Sequence, residues 1–401
     1  MKVMQINAVY GVGSTGVIVE DIHNLSLKNG IEAFVSYSTT NKNPADIKNG
    51  YVIGDTLGKK IHALLSRIGG KQAYFSSFAT KKLIKHIESI KPDIVHLHNL
   101  HSNYINLNLL LGFLAEKDIK TVITLHDCWF YTGGCFHYTA AGCDKWKESC
   151  GNCPKKMQDT PALLKDNSAK ILKDRKKYLG SIKNLSVVGA SRWISEEASK
   201  TFVKEKKIYT INNGIDTEFF VSTPSDFRKK HNLEDKFLII APANKWFLPI
   251  NKKTFDFVSQ NLPEDSVIVM LGCTEGQKQG LPKNVVALDY IRDRDELRKV
   301  YSACDVFANC TREDTFPSIN LEIQGCGTPV VTYRNTGAQE TVDNKCSFSV
   351  ESGNEKDFLE AILKVKAQGK ESFSKDCANR VKENFDRDEN YMKYIELYKS
   401  L

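Results

Sequence analysis

Strand-length apolar runs alternate with helix-like stretches along almost all of the 401 residues, a pattern that builds parallel sheets covered on both faces. VMQI, AFVSY, DIVHL, TVITL and LSVVGA mark one sheet, and FLIIAPA, SVIVML, NVVAL, DVFANC and TPVVTY mark a second. The expected fold class is therefore α/β, with two doubly wound, Rossmann-like domains. Between the two sets lies IYTINNGIDTEFFVSTPS, where Asn213, Gly214 and Pro224 are turn formers, which places the boundary near residue 222. The N-terminal domain is thus read as 1–222 and the C-terminal domain as 223–385. In 386–401, Tyr391, Tyr394, Ile395 and Tyr398 recur at helical spacing and need a surface to cover. Either their own domain supplies it, or the helix crosses back to the first domain.

With 41% hydrophobic residues the chain has apolar material for two cores, and no apolar run approaches the roughly 18 residues of a membrane span. The opening MKVMQINAVYGVG runs straight into a short strand and a glycine turn, not a signal-peptide hydrophobic region, so a cytoplasmic location is expected. The net charge of +8 comes from lysines spread among acidic residues; no basic stripe marks a nucleic-acid partner. Most of this charge reads as solvated surface, and the alternative reading is loose, peripheral attachment to an anionic inner-membrane leaflet. Eleven cysteines without a secretory signal suggest thiols or metal ligands and not a disulfide scaffold.

GVGSTG follows the first strand and opens a helix whose apolar positions Ile18, Ile22 and Leu25 keep helical spacing. Gly13, Ser14 and Gly16 let backbone approach a ligand, and free N–H groups at a helix start attract phosphate. A nicotinamide-dependent oxidoreductase is the obvious rival reading. It requires an acid at the end of the second strand, about twenty residues on, to hold the ribose. That strand ends Phe34-Val35-Ser36-Tyr37-Ser38, with Glu32 at its beginning.

The most informative stretch is CDVFANCTREDTFPSINLEIQGCGTPVVTY, residues 304–333. A strand ends in a polar loop, Pro317 reads as part of a first helical turn, and a short helix runs toward Gly325. Asp314 precedes the helix and Glu322 lies about one turn into it, so two carboxylates flank amides free to hold an anion. A carboxylate takes both hydroxyls of a ribose, while the helix start at Thr315, Phe316, Pro317 and Ser318 suits a diphosphate. The bland alternative is a solvent-facing glutamate on an amphipathic helix.

This segment resembles the donor-binding signature of the retaining glycosyltransferase family 4, whose GT-B fold sets two doubly wound domains facing across a cleft. Glu322 matches the family's second glutamate, which binds the nucleotide ribose; the first falls on Asp314, a shorter acid, with Glu313 adjacent. QINAVYGVGSTG, KPDIVHLHNLH, TVITLHD, INNGIDTEFF and TGAQE resemble further family segments in the same order, so the resemblance covers nearly the whole chain. It implies a donor-contacting role for His126 at a strand end, and places Asp127 and His98 toward the acceptor. The family commonly carries an arginine and a lysine after the second domain's first strand. Here the window reads IIAPANKWFLPINKKTFDF, which leaves Lys245 and either Lys252 or Lys253 to balance charge on the departing diphosphate.

The implied activity is transfer of a hexose-type unit from a UDP- or GDP-sugar, with retention and without a catalytic metal. The implied acceptor is a glycan or a polyprenyl-diphosphate-linked glycan of bacterial surface polysaccharide assembly. Finally, Cys135, Cys143, Cys150 and Cys153 fall within an insertion at about 128–156, and four thiolates so spaced could close a structural zinc site. A zinc-stabilised binding protein without catalysis is the remaining alternative.

Overall fold

The computed structural model describes residues 1–159 and 161–401, which form two compact units. One comprises Met1–Asn213 with Asn390–Leu401, the other Gly214–Glu389. The first is built on seven parallel strands: β1 (Lys2–Tyr10), β2 (Glu32–Thr40), β3 (Gly50–Val52), β4 (Ile94–Leu97), β5 (Lys120–Leu125), β6 (Leu185–Gly189) and β7 (Lys207–Thr210). Their order is β3-β2-β1-β4-β5-β6-β7. All four residues of β4 and all five of β6 are buried, as expected of central strands covered by helices on both faces. The second unit holds β8 (Phe237–Pro242), β9 (Ser266–Leu271), β10 (Val285–Leu288), β11 (Val306–Asn309), β12 (Val330–Arg334) and β13 (Phe348–Glu351), ordered β10-β9-β8-β11-β12-β13.

Each sheet reverses its strand order once, between β1 and β4 in the first unit and between β8 and β11 in the second. Ligands of doubly wound sheets bind outside the carboxyl ends of the strands at such a switch point. The loops that follow β1 and β4, and those that follow β8 and β11, are therefore the places to look for chemistry.

The structure moves the boundary placed at residue 222 to between Asn213 and Gly214. The reason is local. Ile215 pairs in parallel with Asp386, its amide donating to Phe385 O at 2.9 Å while the Arg387 amide donates to Ile215 O at 2.9 Å. A Cβ on Gly214 would stand 2.5 Å from Arg387 Cα, so only glycine fits where the chain enters the second unit beside its own exit. Phe219 and Phe220 then lie beneath the Arg294 guanidinium of the same unit. IYTI, read as linker, contributes the edge strand β7.

The final helix, Arg387–Ser400, carries its stripe into the first unit. Tyr391, Tyr394, Ile395 and Tyr398 are buried with Val3, Ile22, Ile94 and Val122. Rings of this size gain on the order of 2–3 kcal/mol each on burial.

Candidate active site

In the second unit, Lys245 follows β8 and Asp314 follows β11, so the two loops of the switch point meet through a side-chain pair: Lys245 Nζ donates to Asp314 Oδ2 at 3.3 Å. Asp314 is held from behind. Its amide donates to Thr336 Oγ1 at 3.1 Å, and its carbonyl accepts from that hydroxyl at 2.7 Å and from Gly337 N at 3.1 Å. Thr336 sits at φ +38°, an unfavourable backbone for a β-branched residue that these bonds offset. The TGAQE segment thus acts as a brace for the Asp314 loop.

Pro317 stands at the N-cap of the helix Ser318–Gly325, one residue before the first turn in which the sequence placed it. The cap carries no side-chain hydrogen bond and the first turn no acid, which leaves helix-start amides for an external anion. Buried amides fix this helix: Asn309 Nδ2 donates to Asn320 Oδ1 at 2.8 Å, and Asn320 Nδ2 donates to Thr341 Oγ1 at 2.7 Å. A Cβ on Gly325 would lie 2.6 Å from Phe220 O, so the helix end rests directly on backbone.

Among the described residues, two polar groups of this framework lack hydrogen-bond partners. The Thr315 hydroxyl is buried and makes no hydrogen bond among the described residues. The Glu322 side chain is half-buried, no hydrogen bond or ion pair reaches it among the described residues, and burial raises its carboxyl to about 7 against the weaker pull of Arg294. A carboxylate with open acceptor sites beside free amides suits a diol and a diphosphate.

The two remaining lysines pair with other carboxylates. Lys252 pairs with Asp256 one turn along the exposed face of its own helix, and Lys253 Nζ donates to Glu355 Oε2 at 2.8 Å. Both open the helix Lys252–Asn261, and Lys245 is the lysine paired with Asp314 among the described residues. Arg312, which sequence reasoning passed over, lies over the Tyr333 ring at 4.6 Å and donates to Asn251 Oδ1 at 3.1 Å. It joins the loops after β8 and β11; its position in the loop that follows β11 was the only signal.

In the first unit, Gly11 and Gly13 adopt φ +66° and +64°, and the Gly11 amide donates to Gly16 O at 2.9 Å to close the turn. A Cβ on Gly16 would come within 3.3 Å of Gly11 N. Val12 caps the following helix without a side-chain bond, and Ser14 is exposed at its start. β2 ends at Thr40 and runs on into Asn41 and Lys42, so its carboxyl end offers no acid for a dinucleotide ribose.

The histidines form a directed chain. Gln5 uses its amide nitrogen on Val19 O at 3.3 Å, so its oxygen accepts from His98 Nε2 at 3.0 Å. His98 Nδ1 must then accept from His126 Nε2 at 3.1 Å, which leaves His126 Nδ1 as an acceptor. Burial lowers His126 to about 4, against the opposing charge of Asp127, and holds His98 well below the usual range; both rings are neutral at physiological pH. Asp127 is half-buried; burial pushes its carboxyl up, but His101 at 3.1 Å and the Trp129 amide at 2.8 Å outweigh it and hold it below the ordinary value.

Cys135, Cys143, Cys150 and Cys153 line one small pocket with Lys145 and Trp146. Burial raises Cys135 to about 12 and Cys150 to about 11, which favours neutral thiols. Among the described residues no group of three or more His, Cys, Asp or Glu side chains is placed to hold a metal ion. The zinc reading thus finds its residues gathered but not in ligand geometry. Arg175 anchors the insertion, stacking 3.9 Å over Trp129 and donating to the carbonyls of Trp129 and Thr132.

Two family models match the sequence: "Glycosyltransferase Family 4" over residues 28–219 and "Glycosyl transferases group 1" over residues 254–368. The chain belongs to glycosyltransferase family 4. Among curated relatives, this transferase is 23% identical over 361 residues to the putative colanic acid biosynthesis glycosyl transferase WcaC of Escherichia coli K12, covering 85% of each chain. Among solved structures it matches the sucrose-phosphate synthase of Thermosynechococcus elongatus with a TM-score of 0.72 at 14% identity, over 100% of this chain and 98% of the other. HepE of Anabaena, solved with UDP-glucose, matches with a TM-score of 0.66 at 14% identity over 100% of both chains. The transferase has the GT-B fold.

Proposed function

We propose that this transferase moves a hexose-type sugar from a UDP- or GDP-sugar to a glycan or lipid-linked glycan, with retention of configuration and without a catalytic metal. The observation that carries the reading is the Glu322 carboxylate, half-buried, raised to about 7 and without a hydrogen-bond partner among the described residues. It lies one turn into a helix whose start is free of side-chain caps. Its two oxygens take the ribose hydroxyls; the amides at Ser318 and the unpartnered Thr315 hydroxyl take the diphosphate. Lys245 balances the charge that builds on the leaving oxygen, and Asp314 positions Lys245 and a sugar hydroxyl. His126 offers Nδ1 to a donor-sugar hydroxyl, with Gln5 and His98 fixing its tautomer. A role in bacterial surface polysaccharide assembly is supported by the likeness to WcaC, and a UDP-sugar donor by the UDP-glucose bound to HepE.

The test is a thermal-shift comparison of UDP, GDP and NAD on wild type and Glu322→Ala. A nucleoside diphosphate at one hundred times its Kd adds about 2.7 kcal/mol of stability to wild type, and the variant loses the response. Equal responses in the two proteins, or a response to NAD alone, would overturn the reading. A structural zinc at the four cysteines stays a proposal of their spacing. Metal analysis tests it: about one equivalent, lost in Cys150→Ser, supports it, and none in either protein removes it.

A further inference from the structure

The helix Thr56–Gly69 is built inside out. A surface helix ordinarily turns its apolar stripe to the core and its polar side to water. Here the buried residues are His62 and Ser66. His62 Nδ1 meets Ser76 Oγ at 2.7 Å, Ser66 Oγ donates to Lys71 O at 3.3 Å, and Lys59 Nζ, on the same inward side, donates to Ser38 O at 2.9 Å. The outward side carries Leu57, Ile61, Leu64, Leu65 and Ile68, a helical stripe with exposures from 40% to 68%. Neighbouring segments extend it. The amides of Leu163 and Leu164 donate to the carbonyls of Arg67 and Ile68 at the helix end, with 58% and 77% of these leucines exposed. Phe78 is 73% exposed at the start of the next helix, Ser77–Ile90.

The charge around this apolar face is one-sided. Residues 55–91 hold eight lysines and arginines against two acids, a net charge of +6. Lys60, Arg67, Lys81, Lys82 and Lys85 are exposed.

We propose that this face is a membrane-docking surface that lies in the headgroup region of an anionic bilayer, the apolar stripe reaching the acyl boundary and the basic rim meeting lipid phosphates. No helix among the described residues is long and apolar enough to cross a membrane, so the contact is interfacial. Charge decides the occupant: two copies of a face rimmed by Lys60, Arg67, Lys81, Lys82 and Lys85 repel across an isologous contact, whereas an anionic leaflet attracts each basic residue. The inference does not depend on the donor or acceptor of the transfer reaction.

Vesicle co-sedimentation tests it with the full chain, using phosphatidylcholine vesicles with and without phosphatidylglycerol. Wild type should partition onto the anionic vesicles and only weakly onto the zwitterionic ones. The double variant Ile61→Glu and Leu64→Glu should lose binding more than tenfold, and Lys81→Glu with Lys82→Glu at least about fivefold, the factor expected per basic residue at the surface. All four positions are exposed, so Tm and nucleotide-dependent stabilisation should stay unchanged, which separates lost docking from lost folding. Wild type that ignores anionic vesicles, or a double variant that binds as wild type does, would overturn the proposal. So would concentration-dependent self-association, by analytical ultracentrifugation, that the double variant abolishes; that result would assign the face to a second copy.

Discussion

Glu322 was legible in the sequence because the carboxylate, proline and glycine around it sit in one short stretch. Its ionisation was not, since burial and Arg294 come from distant segments. Its carboxyl is raised from 4.5 to about 7, so the folded state binds this proton more tightly than the unfolded chain does. The associated stability is complete below about 4.5 and disappears as pH climbs through about 7. Glu322→Gln removes that dependence. The variant's stability relative to wild type should therefore rise by about 1–2 kcal/mol between pH 4 and 8, after discounting the full shift for partial solvent access. Urea unfolding across that range measures it, and a pH-independent offset would contradict the burial of this carboxyl. His126 makes the complementary case: its place at a strand end was readable, but its neutral state and tautomer follow from Gln5 and His98 on two other strand segments. Removing one hydrogen bond to the sugar in His126→Ala should lower kcat/KM about 10- to 100-fold and leave the affinity for UDP or GDP unchanged. A matching loss of nucleotide affinity would place His126 at the nucleotide instead.

At the scale of elements, the strands read from apolar runs are present, whereas the edge strands are where sequence reasoning thins out. β3 and β7 have mixed or half-exposed residues, so periodicity did not separate them from loops. The C-terminal helix is the informative case. Its tyrosine stripe announced a buried face, yet the choice of surface depended on polar pairing that no periodicity encodes. Tyr398 OH meets His96 Nδ1 at 2.6 Å and Tyr394 OH meets Thr124 Oγ1 at 3.0 Å, joining the helix to β4 and β5. Burial keeps His96 neutral, and its other nitrogen already meets Thr124 Oγ1 at 2.8 Å. Tyr398→Phe removes one hydroxyl, leaves Nδ1 buried and unpaired, and should destabilise the protein by about 1–3 kcal/mol without changing the packed volume. A urea midpoint within error of wild type would mean that the helix is held by its apolar contacts alone.

For the molecule as a whole, two sheets of the same design leave open which one the nucleotide uses, and each has a glycine-bearing or helix-start loop at its switch point. Sequence reasoning divided the chain at residue 222 because turn formers cluster there; the pairing of Ile215 with Asp386, set by residues far apart in sequence, moves the division to Gly214. In the helix Thr56–Gly69 the inward positions are likewise set by residues outside it, with His62 meeting Ser76 and Lys59 meeting Ser38. Assignment of the nucleotide to the second unit rests on a difference in satisfaction: there Thr315 and Glu322 have no hydrogen-bond partner among the described residues, while the Gly11–Gly16 turn of the first unit already closes its own hydrogen bond. Groups that gain bonds on binding lose local opening, so saturating UDP or GDP should slow amide hydrogen exchange most at residues 311–318 and in the brace at 336–341. Exchange in β1, β4 and β5 should be unchanged by the nucleotide alone. Protection centred on residues 11–16 would instead assign the diphosphate to the first unit and leave the open carboxylate of Glu322 without a ligand.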